Sequence, residues 1–219
     1  MLFDLDGTLI DSVYQHVLAW REALEAEGID IPVWSIHRKI GMSGGLFVRA
    51  LLRETGASLG QDAVDRLQIA HGLAFRRYAA GVRPLPGSLT LLQRLTEQQV
   101  PWAIATSGRR ETAGPTLAML GVPADVPVIT RDLVRRAKPD PDLFLAAAEA
   151  LGLAIEDCLV VGDSVWDLLA ARRARALGIG LLTGGYGREE LERAGAFRVY
   201  GDPADLLQHL DEVGLRDSE

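Results

Sequence analysis

The chain has 219 residues, 48% hydrophobic and 24% charged, with a formal net charge of −7; this supports a sizeable buried core and excludes a disordered or low-complexity protein. The acidic balance argues against a nucleic-acid backbone as partner, since that binding needs clustered cations, yet a small anionic ligand needs only a local group of donors. The single cysteine, Cys158, excludes an intramolecular disulfide; no apolar run is long enough to span a bilayer, and Met1-Leu2-Phe3-Asp4 lacks the basic region of a signal peptide, so a cytoplasmic location with no membrane partner is expected.

In chain order, short apolar runs ending in small or acidic residues predict strands at Met1 to Leu5, Trp102 to Thr106, Val126 to Thr130, Cys158 to Val161, Ile179 to Leu182 and Arg198 to Tyr200. Helical patterns fall between them, including Leu89 to Gln98, Arg110 to Leu120, Asp142 to Leu151 and Val165 to Leu177. Alternation of this kind implies an α/β fold around a parallel, Rossmann-like sheet. Pro127 weakens the third strand or assigns it to an edge, because proline cannot donate to a ladder.

Residues 13–81 break the alternation with helical periodicity throughout and read as an inserted α-helical cap, leaving 1–12 and 82–219 as the core. The first helix carries Val13, His16, Val17, Trp20 and Leu24 on one face, with Asp11 or Ser12 as its N-cap and Gly28 as its stop. Ile10-Asp11-Ser12 and Val82-Arg83-Pro84-Leu85-Pro86-Gly87 read as the outgoing and returning linkers. Disorder is expected only after Leu215.

Four segments carry chemistry. Asp4-Leu5-Asp6-Gly7-Thr8-Leu9 puts two acids where the first strand ends, the place where ligands bind in a parallel sheet. If the strand persists, both carboxylates point the same way, so that one can attack phosphorus while the other handles protons. A plain turn at Asp6-Gly7 accounts for the same residues. Thr106-Ser107-Gly108 follows the second strand, where a hydroxyl and free amides can hold phosphate oxygens, or where a hydroxyl simply caps a helix.

Lys138-Pro139 stands out because only Lys39 and Lys138 are lysines among the 23 basic residues. A compact ammonium there can neutralise phosphoryl charge, although a solvated lysine before a helix-opening proline is the plainer account. Finally, Gly162-Asp163-Ser164-Val165-Trp166-Asp167 ends another strand with an acid and repeats one four residues on. Magnesium takes one or two carboxylates plus water and substrate oxygens, while a turn and the first turn of a helix also favour acids.

Together, in this order and at strand ends, these segments resemble the four motifs of the haloacid dehalogenase superfamily, in the branch with a helical cap that includes phosphoglycolate phosphatase and β-phosphoglucomutase. The resemblance implies a Mg²⁺-dependent phosphatase of a small phosphorylated metabolite working through an aspartyl-phosphate. Asp4 would be nucleophile and metal ligand, and Asp6 general acid/base with its carbonyl on the metal. Thr106 and Lys138 would stabilise the phosphate, Asp163 would ligate the metal, and Asp167 would support it. Ser107, Gly108, His16, Arg49 and Arg109 are the candidate substrate contacts, with Trp20 and the turn Gly41-Met42-Ser43-Gly44-Gly45 beside them.

Each has a plainer reading, as a satisfied core histidine, a packing tryptophan, solvated arginines or a simple connector. A phosphomutase is the nearest alternative, since His16 resembles that family's hinge histidine. Gly44, however, replaces the arginine of its cap loop. Lys39 is the sole candidate for the cap lysine of a phosphonate-cleaving relative, and a non-catalytic phospholigand-binding module is the alternative outside enzymes.

Overall fold

A computed structural model describes residues 1–55 and 60–215; the expected disorder after Leu215 lies outside the described residues. The elements in chain order begin with β1 (Leu2–Phe3), β2 (Ile10–Asp11), α1 (Val13–Ala26), α2 (Val33–His37), α3 (Gly44–Thr55), α4 (Gln61–Tyr78) and β3 (Arg83–Pro84). There follow α5 (Ser88–Glu97), β4 (Ala103–Ala105), α6 (Arg110–Leu120), β5 (Val128–Ile129), α7 (Asp142–Ala150), β6 (Leu159–Gly162), α8 (Val165–Ala174), β7 (Leu177–Leu181), α9 (Arg188–Ala194), β8 (Ala196–Tyr200) and α10 (Pro203–Gln208).

Six strands form one parallel sheet in the order β5-β4-β1-β6-β7-β8, an α/β Rossmann-like fold. Side chains alternate across a strand, and the sequence uses that period to build two cores. Phe3, Ile104 and Val161 face Leu91, Leu95 and Leu206 on one side. On the other, Leu2, Ala103, Ala105 and Val160 face Leu143, Phe144, Ala170 and Ala171. The edge position of β5 agrees with Pro127, whose carbonyl still accepts from Ile104 N at 3.0 Å.

Residues 13–81 carry the four helices α1 to α4, joined by turns, with no strand among the described residues. Val13, Val17, Trp20 and Leu24 pack with Ile36, Phe47, Val48, Leu51, Val64 and Leu67 in a cluster of their own. Ala19, Ala74 and Phe75 belong instead to the main core, so α1 and α4 have one face on each side. Gly28 follows the end of α1 with φ +71°, as its reading as a stop requires.

Three expectations are corrected. The first strand ends at Phe3 rather than Leu5, because the amides of Leu9 and Ile10 turn back onto the Leu5 carbonyl at 2.9 and 3.1 Å. The helix expected to run to Leu177 stops at Ala174, where Arg175 adopts a left-handed φ of +70°, and Leu177 opens β7. The strand expected at Val126 to Thr130 spans only Val128–Ile129, and the two linkers pair antiparallel as β2 and β3, Ile10 with Pro84 and Asp11 with Arg83.

Return to the sheet depends on Gly87, at φ +78°, from which α5 departs. An added Cβ would sit 2.5 Å from the Ala204 backbone nitrogen at the start of α10. Gly87→Ala therefore combines a left-handed alanine with an overlap against backbone that cannot swing aside. It should cost roughly 2 kcal/mol or more, read as a lowered midpoint in urea denaturation.

Candidate active site

The four segments meet at one end of the sheet. Asp4 follows β1, Thr106 follows β4 and Asp163 follows β6, and these are three adjacent strands. The Asp4 amide donates to Val161 O at 2.9 Å, and the Thr106 amide to Ile129 O at 2.9 Å, which fixes the height of each strand end. Lys138 arrives from the segment between β5 and α7, and its peptide bond to Pro139 is cis. Pro139 does not open the helix; α7 starts at Asp142.

Lys138 is wholly buried, with 0% of its surface exposed. Its ammonium donates to Asp4 Oδ1 and lies 2.8 Å from Asp167 Oδ1. Asp4, Asp163 and Asp167 are all buried, and each offers a carboxylate oxygen within 4.8 Å of the others'. Three acids thus share one internal cation. Burial, with Asp167 and Asp6 nearby, pushes the Asp4 carboxyl up to about 7 despite Lys138. Burial, with Asp167 and Asp4, likewise raises Asp163 well above the usual carboxylate range. Burial alone would discharge Lys138, but Asp167 and Asp4 hold it above its ordinary value.

A divalent cation would offset that excess of negative charge, and three hard carboxylate oxygens are donors that such an ion takes. Asp163 is further held by Thr8, whose hydroxyl donates to its Oδ1 at 2.8 Å. Gly7 and Gly184 crowd the same carboxylate so closely that a methyl on either would overlap it. Asp167 caps its helix and faces the cluster at once. Its Oδ2 accepts from the Ser164 amide at 3.1 Å and hydroxyl at 2.6 Å as a helix cap, while its Oδ1 faces Lys138.

Asp6 does not lie on a continued strand; it sits in the turn, where Gly7 has φ +89°. The persistence argument for two parallel carboxylates therefore fails, although both acids reach the same cavity. Ser12, expected as a helix cap, makes no cap bond and instead donates to Asp6 Oδ1 at 2.7 Å. His16 Nε2 lies 3.2 Å from the same oxygen. Burial tends to raise Asp6, but His16 and Ser12 outweigh it and hold the carboxyl below its ordinary value.

A cavity of about 430 Å³ opens above this floor. Its lining includes Asp4, Asp6, His16, Thr106, Ser107, Gly108, Arg49 and Arg109, so every substrate candidate faces one space. The Gly108 amide donates to Thr106 Oγ1 at 2.9 Å, while Ser107 Oγ is buried with no hydrogen-bond partner. Arg49 and Arg109 are exposed, as the plainer reading has them, and donate to Gln61 at 2.8 Å and Gln68 at 3.4 Å. Trp20 does both jobs, stacking on Phe47 and lining the cavity. The turn at Gly41 is a close approach: Ser43 N reaches Lys138 O at 3.4 Å. Lys39 is not part of the lining, and its ammonium lies 3.5 Å from Ser35 Oγ.

A model of the haloacid dehalogenase-like hydrolases matches residues 1–175, a span that contains every acid of this cluster and Lys138. The chain belongs to the haloacid dehalogenase-like hydrolase family. Among its relatives it is 34% identical over 175 residues to hexitol phosphatase A of Escherichia coli, covering 79% of this chain and 78% of that one. It is 30% identical over 215 residues to a phosphoglycolate phosphatase of Rhodospirillum rubrum, with coverages of 94% and 88%. The crystal structure of a hydrolase from Pseudomonas syringae superposes with a TM-score of 0.95 at 54% identity over 98% of both chains.

Sequence reasoning missed Thr8, Ser12, Gly184 and His71. Thr8 and Ser12 stand in or beside the first motif and could have been found by asking which hydroxyls flank its acids. Gly184 and His71 reach the site only through folding and carry no local signal.

Asp4 binds a proton in the folded metal-free chain, between its ordinary value of 3.8 and about 7, that the unfolded chain has shed. Its contribution to stability therefore falls as pH rises through that interval. In metal-free protein, the stability of Asp4→Asn relative to wild type should grow across this range and level off above it, as read by urea denaturation at each pH.

Proposed function

We propose that the chain is a Mg²⁺-dependent phosphatase of small phosphorylated metabolites, with Asp4 as nucleophile. The observation that carries this reading is the burial of Asp4, Asp163, Asp167 and Lys138 in one cluster beneath a cavity lined by Thr106 and Ser107. Removing so many charges from water is costly, and the one ammonium leaves the three carboxylates with an excess of negative charge that a bound cation would offset. The phosphatase relatives act, by their names, on small phosphorylated compounds, and the cavity has the volume for one.

Asp4, Asp163 and Asp167 would hold the ion, with the Asp6 carbonyl as a further donor. Bound Mg²⁺ would supply the positive charge that lets an anionic carboxylate approach an anionic phosphate. Thr106 Oγ1, Ser107 Oγ and the Gly108 loop hold the phosphoryl oxygens, and the otherwise unpartnered Ser107 hydroxyl gains an acceptor. Lys138 favours the ionised form of Asp4 and aims it, and neutralises charge spread over the transferring group.

A carboxylate oxygen of Asp4 forms its bond to phosphorus as the bond to the ester oxygen breaks, and Asp6, which takes up a proton from solvent as the phosphate's negative charge arrives beside it, delivers that proton to the leaving oxygen. Water then attacks the aspartyl-phosphate and gives its proton to Asp6. Phosphate leaves and the Asp4 carboxylate is restored. His16 and Ser12 anchor Asp6 Oδ1, which fixes the carboxyl during both transfers. At the position where the family resemblance expects the mutase's cap arginine, Gly44 offers no cation, so release to water is the expected fate.

Asp4→Asn should lower kcat for p-nitrophenyl phosphate by about 10³-fold or more with unchanged circular dichroism. Retained turnover overturns the assignment. Chelation should abolish wild-type activity and added Mg²⁺ should restore it. With a sugar phosphate, the product should be inorganic phosphate and free sugar; an isomeric sugar phosphate would instead establish a mutase.

A further inference from the structure

His71, on α4, lines the cavity but has no task in the mechanism above. Its Nε2 lies 3.1 Å from Nδ1 of His16, whose Nε2 lies 3.2 Å from Asp6 Oδ1. The His71 ring stacks on Trp20 at 4.1 Å and on His16 at 5.2 Å, while Phe75 lies parallel to His16 at 3.9 Å. His16 is thus held by rings and by one directional contact at each nitrogen.

A nitrogen-to-nitrogen contact of this length needs one hydrogen between the two atoms. A neutral His16 that turns its Nε2–H toward the Asp6 carboxylate presents a bare Nδ1, and His71 must then supply Nε2–H. A charged His16 presents Nδ1–H, and His71 must accept at a bare Nε2. An imidazole serves either state by changing tautomer. A phenyl ring would stack equally well and serve neither.

The consequence falls on Asp6. Ser12 and His16 both engage Oδ1, and Oδ2 faces the Gly108 loop. We infer that His71 is a positioning residue which, by completing the hydrogen bond at His16 Nδ1, keeps His16 on Asp6 Oδ1 and so aims Asp6 Oδ2 at the phosphoryl site. The inference rests on the phosphatase reading for its kinetic consequence, though the tether itself does not.

The test compares His71→Phe with His71→Gln, using p-nitrophenyl phosphate with saturating Mg²⁺. His71→Phe should lower kcat by about tenfold or more with KM changed by less than about threefold. His71→Gln, whose amide can donate or accept, should return kcat to within about threefold of wild type. Unchanged kcat in His71→Phe overturns the proposal. So does a glutamine variant no better than phenylalanine, or a loss confined to KM, which would make His71 a substrate contact.

Long-range ¹H–¹⁵N correlation spectra of the wild-type imidazoles supply an arm that needs no variant to fold. One of the two facing nitrogens should be protonated and the other bare; protonation of both, or of neither, overturns the tether. A wild type that releases no phosphate defeats the phosphatase reading alone, since the spectra still decide the tether.

Discussion

A lysine ammonium without solvent contact, set among Asp4, Asp167 and Asp163, is the constraint around which the rest is arranged. Removing a charge from water costs several kcal/mol unless partners replace the lost hydration, so three chain segments must arrive at fixed heights. The parallel sheet delivers them: adjacent strands end level with one another, and the amides of Asp4 and Thr106 are tied to neighbouring strands. Glycines then let backbone close around the cluster, Gly7 and Gly184 lying against the Asp163 carboxylate where no side chain fits.

Much of the core was legible because its signals are local. Alternating side chains, strand-end acids and a cation that broke the chain's arginine habit each survive in a few consecutive letters. Boundaries failed where the deciding force is not local. Nothing near Arg175 announces a left-handed residue, so the apolar run that crosses it reads as one helix although its second half is a strand. Asp6 reaches the same cavity as Asp4, but its direction comes from the turn and from Ser12 and His16, not from a continuing strand.

The wall opposite the sheet was the least readable part. His16 and Trp20 look like part of a buried stripe on α1, and folding brings His71 of α4 against both rings. All three also line the cavity, so the same side chains pack the wall and border the candidate site. A histidine on an apolar face need not choose between those roles. Its carbon edges satisfy the cluster while its nitrogens satisfy hydrogen-bond partners at either side.

The pairing of β2 with β3 has a consequence for how such a chain tolerates so large an excursion. Ile10 and Pro84 are neighbours, as are Asp11 and Arg83, so seen from the sheet everything between them is the tip of one hairpin. Closure entropy grows only with the logarithm of length, and a tenfold longer tip adds about 2 kcal/mol. The sheet can therefore carry an excursion of this length at little cost in closure entropy, while His16 within it still reaches back to Asp6 and Ala19, Ala74 and Phe75 help to close the main core.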